Sequence, residues 1–255
     1  MSNGVSGGWV ADLRADRAVF DAGTNPAARL AGSYTVSIPG LPGEDGTVWM
    51  GDGYLTVAVD AGGRMTGSGS LADGTSVGPV SVPVSGEGYL PLYLPLYGGK
   101  GSVWSWLEFG AGVPAARLAG ALSWVKPAQI GASYPAGLTN WVMAAGGRYQ
   151  APTNASDRVL DLTYAVLLFE GGTLVEPLAN AVLLTSGNRF TDLTVSNRLS
   201  VSLTLSSGAF MGSVTLPGQA RGKSSKGVLM QDENSADGYF LDGNRSGRVT
   251  IPLPP

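Results

Sequence analysis

The run Tyr89-Leu-Pro-Leu-Tyr-Leu-Pro-Leu-Tyr97 sorts its residues by parity. Successive side chains of an extended strand point to opposite faces. Leu90, Leu92, Leu94 and Leu96 therefore share one face, and Tyr89, Pro91, Tyr93, Pro95 and Tyr97 share the other. Such a strand has a core side and a flat Tyr/Pro side suited to contact rather than to chemistry.

The rest of the chain fits the same class. Its 255 residues include 39 glycines and 16 prolines but only 14% charged residues. That is the profile of many short strands joined by tight turns, and no run has the 3.6-residue spacing of a long helix. Turn signals recur at the spacing of an antiparallel meander. Strands are expected near 33–38, 54–60, 64–71, 76–84, 89–97, 102–109 and 117–125, then near 158–169, 181–185, 198–205, 208–216, 225–231, 237–241 and 247–252. The expected fold is all-β, built from antiparallel meanders that form two related barrel- or sandwich-like halves or one large barrel-like sheet. Residues 1–31 read as an irregular start, 32–126 as the first half, 127–147 as a Pro/Gly/Ala-rich linker and 148–255 as the second half.

An internal repeat is expected. Leu55–Val59, Gly63–Ser68 and Leu71 have a counterpart in Leu199–Leu203, Gly208–Ser213 and Leu216, with Gly32-Ser-Tyr34 and Gly147-Arg-Tyr149 marking the two starts. Pro79, Pro83, Pro91 and Pro95 are all odd-numbered, so a hairpin over 76–96 would turn every missing N–H away from its own ladder. That hairpin is expected at an edge or as a projecting ribbon.

Cysteine and histidine are both absent. This excludes disulfides, thiol nucleophiles, Cys/His zinc sites, histidine-ligated haem and His-based catalytic pairs. No cofactor is expected. The net charge of −3 comes with no basic cluster, so nucleic acid is not an expected partner. No apolar run reaches the ~18 residues of a spanning helix, and short strands without aromatic girdles argue against membrane insertion. The first residues, Met1-Ser-Asn-Gly-Val-Ser-Gly-Gly8, lack a charged n-region and an apolar h-region, so no signal peptide is read there.

A set of phrases runs through the chain in order. They include Arg17-Ala-Val-Phe-Asp21 with Thr24-Asn-Pro26, Gly32-Ser-Tyr-Thr-Val-Ser-Ile-Pro-Gly40 and Ser70-Leu-Ala-Asp-Gly-Thr75. Pro91–Tyr97, Leu118-Ala-Gly-Ala-Leu-Ser-Trp124, Ser206-Ser-Gly-Ala-Phe-Met-Gly-Ser213, Lys226-Gly-Val-Leu-Met-Gln231, Gly238-Tyr-Phe-Leu241 and Ser246-Gly-Arg-Val249 complete it. Together they resemble an uncharacterised β-rich domain of large secreted or surface multidomain proteins of environmental bacteria. The resemblance implies an extracellular or cell-surface β module, and it carries over no catalytic residues.

The expected site is aromatic. If Tyr89–Tyr97 pairs with the following strand across Gly98-Gly-Lys-Gly101, Tyr93 comes close to Trp106 and Pro95 to Trp104. Tyr89, Tyr93, Tyr97, Trp104 and Trp106 would then form one face, suited to stacking on sugar rings or to burial in a protein interface. The same face would serve equally to pack one half of the chain against the other, which would make the chain a structural spacer. A non-catalytic binding or adhesion module for glycan or protein is the leading expectation.

A carboxylate-dependent glycan-cleaving enzyme is the alternative of a different class, since paired carboxylates about 5–5.5 or 6.5–9.5 Å apart need neither His nor Cys. Glu108 and Asp161 are the acids read within strands beside apolar residues, whereas Asp45, Asp52, Asp73 and Glu87 read as turn acids. Ser123-Trp-Val-Lys126 and Gly4-Val-Ser-Gly-Gly8 match hydrolase motifs without their structural context. Asp232, Asn234 and Asp237 are weak calcium candidates whose spacing departs from an EF-hand loop.

Overall fold

The computed structural model describes residues 3–6, 9–12, 15–41, 50–110, 117–154, 156–194 and 196–252, with backbone alone for 3–12. Asp45 and part of the Gly4–Gly8 stretch lie outside them. Two four-residue strands, β1 (Asn3–Ser6) and β2 (Trp9–Asp12), form a hairpin in the segment expected to be irregular. The rest is two eight-stranded antiparallel sheets, each curled into a nearly closed barrel.

The first comprises β3 (Gly32–Ile38), β4 (Gly53–Val59), β5 (Arg64–Ser70), β6 (Ser76–Pro83), β7 (Tyr89–Leu96), β8 (Gly101–Phe109), β9 (Leu118–Lys126) and β10 (Leu138–Tyr149). The second comprises β11 (Tyr164–Gly171), β12 (Leu178–Leu184), β13 (Phe190–Asp192), β14 (Ser200–Thr204), β15 (Ala209–Val214), β16 (Lys223–Met230), β17 (Ser235–Asp242) and β18 (Arg245–Ile251). Both are meanders whose first and last strands pair, β3 with β10 and β11 with β18. Each barrel is therefore open between two strands that are consecutive in sequence, β6 and β7 in the first and β13 and β14 in the second.

The prolines account for the first opening. Phe109 N–H donates to Gly88 O and Val84 N–H to Gly63 O, which fixes the even residues of β7 toward β8 and those of β6 toward β5. Pro91 and Pro95 on one lip and Pro83 on the other then turn their missing donors into the gap. Pro79 stands at the β5–β6 register shift, where the bulge sits between Gly67 and Gly69. The expected β6–β7 hairpin ladder therefore does not form: these strands are two separate edges flanking a seam.

Two further expectations are corrected. Residues 127–147 are not a linker, because they contain most of β10, which closes the first barrel against β3 and β9. Gly147–Tyr149 is the end of that strand, not a second start. The two similar hairpins are also not equivalent. One supplies the second and third strands of its barrel (β4, β5), the other the fourth and fifth (β14, β15), so they share hairpin chemistry and not position.

Apolar side chains fill both barrels. Leu90, Leu92, Leu94 and Leu96 point inward with Val103, Leu107, Leu118, Leu122 and Trp124, and burying each leucine contributes about 1.5–3 kcal/mol. Phe169, Val182, Phe210, Leu229, Phe240 and Val249 form the second core. Among the described residues no helix is long and apolar enough to cross a membrane.

The barrels meet through polar groups, close backbone and the side chains of Tyr239 and Leu241, which pack against the first core. Thr35 Oγ1 donates to Leu229 O (2.7 Å), Asp52 N to Gly238 O (3.1 Å) and Gly51 N to Ser246 Oγ (3.2 Å). The Ser70 hydroxyl pairs with the Tyr239 hydroxyl at 2.6 Å, and Tyr134 with Ser246 at the same distance. This interface covers the outer face of β3 and β4 and the Gly147 end of β10, and leaves that of β7, β8, β9 and residues 138–143 of β10 outside it.

Candidate functional site

The aromatic face lies on the uncovered side. β7 pairs with β8 so that Tyr93 stands opposite Trp104 and Pro91 opposite Trp106, two residues from the expected register. The turn takes residues 97–100 rather than 98–101, equal in length but one residue earlier, with Gly98 and Gly99 at positive φ, and this displacement moves the pairing by two. A shift of two keeps every side chain on its face, so the aromatic side survives the correction. Trp104 pairs with Ser123 on β9, and Ser123 with Trp141 on β10. Tyr93, Trp104, Ser123 and Trp141 thus make one row across four strands, roughly 14 Å long at the usual strand spacing.

Tyr93, Trp141 and Met143 are 66, 58 and 61% exposed, and Trp104 and Trp106 40 and 38%. This face is not packed between the two halves. Trp104 meets Trp141 edge-to-face (5.2 Å, 68°), and the half-buried Tyr89 meets Trp106 in the same manner (6.1 Å, 75°). Across the outward positions of 89–95, 102–108, 119–125 and 139–145, Glu108 alone carries a charge.

Tyr97 does not belong to this face. It sits at φ 53°, where strand alternation ends, and its ring turns to the barrel mouth. Its hydroxyl donates to Asp73 Oδ2 (2.9 Å) and accepts from Trp124 Nε1 (3.0 Å), while Lys126 Nζ lies 4.7 Å from the ring centroid. Burial first, then the Asp73 charge, pushes the phenol well above its ordinary pKa despite hydrogen bonds that act the other way. Buried Lys126 is 3.8 Å from Asp73, so Ser123 and Lys126 occupy opposite faces of β9 and cannot act together. Tyr97→Phe is expected to cost about 1–3 kcal/mol, because Trp124 N–H and Asp73 each lose a partner in a buried network; the shift in urea midpoint measures it.

The remaining candidates separate. Glu108 is on β8 of the first barrel, opposite Tyr89 and Ala119. Asp161 lies not within a strand but in the irregular 156–163 connection, where its carbonyl accepts from Asn234 Nδ2 (3.0 Å). Asp232, Asn234 and Asp237 also diverge. Asp232 pairs with Arg117 (3.1 Å), Asn234 caps a short 3₁₀ turn at positive φ, and Asp237 is half-buried on β17, opposite Val228 and Thr250. Among the described residues no group of three potential ligands is poised to hold a metal ion.

Trp141 and Met143 complete the face without having been read from the sequence. In β10 the buried positions Asn140 and Ala144 are polar or small and Leu138 and Val142 pack only partly against the core, while the bulkier Trp141 and Met143 point outward. That inversion is the signal: a strand whose bulk faces away from the core offers it to something else.

No family model matches the chain, and no curated protein matches it. Among solved structures, that of the isotype 1 transferrin binding protein B from serogroup B Neisseria meningitidis is similar over 78% of this chain and 51% of that chain, at 12% identity and a TM-score of 0.24. The chain spans about half the length of that protein, and at this score the likeness carries no argument about function.

Proposed function

We propose that this chain is a non-catalytic, extracellular binding module, of the β-rich kind found in large secreted or surface proteins of environmental bacteria, whose β7–β10 face docks on an apolar surface of a partner protein. The observation that carries this is the contiguous exposure of Tyr93, Trp104, Trp106, Trp141 and Met143 on rigid strands. These five side chains expose on the order of 600 Å². With Pro91, Pro95 and Tyr89 at the margin they approach the ~800 Å² per partner of a standard protein interface. Aromatic residues and methionine with few charges are the composition of interface cores. The edge-to-face rings favour protein over glycan: rings tilted by 68° and 75° form a ridge, whereas stacking on sugars wants open, level ring faces.

A displayed library of protein fragments, selected on the folded chain and counter-tested on Tyr93→Ala/Trp104→Ala, examines this reading. Binders are expected to lose at least ~30-fold in affinity on the variant, about 2 kcal/mol, the scale of a hot-spot pair, with its far-UV circular dichroism unchanged. Binders indifferent to the variant would remove the face from the function. A glycan array positive only for the unmodified chain would give the face to sugars instead.

A further inference from the structure

A second site lies at one mouth of the first barrel, beyond the Tyr89 end of the aromatic face. Residues 15–31 cross this mouth as a strap tied to both rims. On one side Gly86 N–H donates to Arg17 O (2.8 Å); on the other Ala27 N–H donates to Ala61 O (2.9 Å). Tyr34 OH donates to Leu30 O (2.7 Å) and Arg148 Nη2 to Arg29 O (2.9 Å). The side chain of Phe20 lies so close over Gly63 that a Cβ there would be 2.7 Å from it.

The strap is fixed, yet it does not fill the mouth. A pocket of about 410 Å³ remains between it and the 86–88 turn, walled by Phe20, Pro26, Leu30 and Phe109, with Arg29 and Glu87 as its charged residues. Phe109 is held by an edge-to-face contact with Tyr34 (5.2 Å), so this wall is rigid. The volume is in the range of small-molecule sites, which favour apolar walls, few polar groups and the mouths of barrels. It would otherwise hold on the order of a dozen waters, which find few hydrogen-bond partners on such a wall.

The charges narrow the ligand. One guanidinium and one carboxylate on the same lining give each end of a zwitterion a partner. A purely anionic head would meet Glu87, and a purely cationic one Arg29. We propose that this pocket binds a small apolar zwitterion, such as a free apolar amino acid or a short apolar peptide. Its carboxylate faces Arg29, its ammonium faces Glu87, and its side chains lie among Phe20, Leu30 and Phe109.

Calorimetry with three probes of one apolar body tests this: the dipeptide leucyl-phenylalanine, its N-acetyl derivative and its C-terminal amide. The free dipeptide is expected to bind one-to-one and at least tenfold more tightly than either capped form. Arg29→Gln should bring the dipeptide level with its amide, and Glu87→Gln should bring it level with the N-acetyl form. Both changes are at exposed positions outside the strands. Ala28→Trp, placed to fill the pocket, should abolish binding, while Trp104→Ala should leave it unchanged. The proposal is overturned if the dipeptide gives no saturable heat, if all three probes bind equally, or if Arg29→Gln and Glu87→Gln leave the preference intact.

Discussion

Arg248→Met is expected to cost the fold about 3–5 kcal/mol at pH 7.5 and much less at pH 5. Arg248 Nε lies 3.0 Å from Asp52 Oδ2 at the contact between the barrels, and Asp52 Oδ1 also accepts from Gly40 N (2.8 Å). Asp237 shares the same guanidinium and faces Ser37, and Glu170 stands opposite Arg248 in the β11–β18 ladder. Burial raises the Asp52 pKa to about 6, more than the Arg248 charge and the Gly40 hydrogen bond can lower it, and Asp237 adds a further upward push. Burial raises Asp237 as well.

The pH dependence follows from these directions. Between about pH 4 and 6 the unfolded chain has Asp52 ionised while the folded chain keeps it protonated. The folded state then binds more protons, so stability falls as pH rises through that window and is greatest below it. A displacement from 3.8 to about 6 corresponds to about 3 kcal/mol. Asp242 acts oppositely, since hydrogen bonds from Thr173 and Lys223 outweigh its burial and lower its pKa, but its loss on acidification falls below the Asp52 window. The unmodified protein should therefore melt at higher temperature at pH 5 than at pH 7.5. Asp52→Asn should flatten that difference, and Asp52→Asn/Arg248→Met should recover much of what Arg248→Met loses. Urea midpoints at the two pH values decide it; a single variant equally destabilised at both would show that Arg248 acts through packing instead.

What the sequence reveals about this molecule depends on whether parity is local. The leucine row of β7 and the alternation of β8 are each legible in a few residues, because a barrel wall buries one parity and exposes the other. Tyr97 breaks the rule only because the backbone leaves the strand there, at a positive φ that nothing in Tyr-Gly-Gly dictates unambiguously. β10 was hidden by the composition around it and by its inverted pattern, with Asn140 inside and Trp141 outside. The odd-numbered prolines did mark edges, but which strand lies across the gap is decided by the pairing of β3 with β10, more than a hundred residues apart. Asp52 between Gly51 and Gly53 looks like a turn acid. It is buried by the second barrel, a contact that no local pattern records.

That contact also sets the second large effect. Gly51→Ala is expected to cost about 3–5 kcal/mol and to separate the unfolding of the two barrels. A Cβ on Gly51 would lie 2.2 Å from Gly247 O, 2.5 Å from Tyr239 Cβ and 2.8 Å from Gly247 C. Two of these atoms are backbone of the opposite barrel, so no rotamer change relieves the overlap. Relief requires β17 and β18 to withdraw from 50–53, which strains the Gly51–Ser246 and Asp52–Gly238 hydrogen bonds, the Asp52–Arg248 pair and the Ser70–Tyr239 contact together. Apart from Tyr239 and Leu241, which the second barrel lends to the first core, each barrel has its own apolar core, so separation need not melt either. The unmodified chain should unfold in one transition by calorimetry, with van't Hoff and calorimetric enthalpies equal, and Gly51→Ala in two. Gly23→Ala, whose nearest neighbour would be Asp21 Oδ1 at 3.5 Å, serves as the control and should change little. A single, unshifted transition for Gly51→Ala would mean that the barrels accommodate the methyl, and that their coupling does not depend on this close approach.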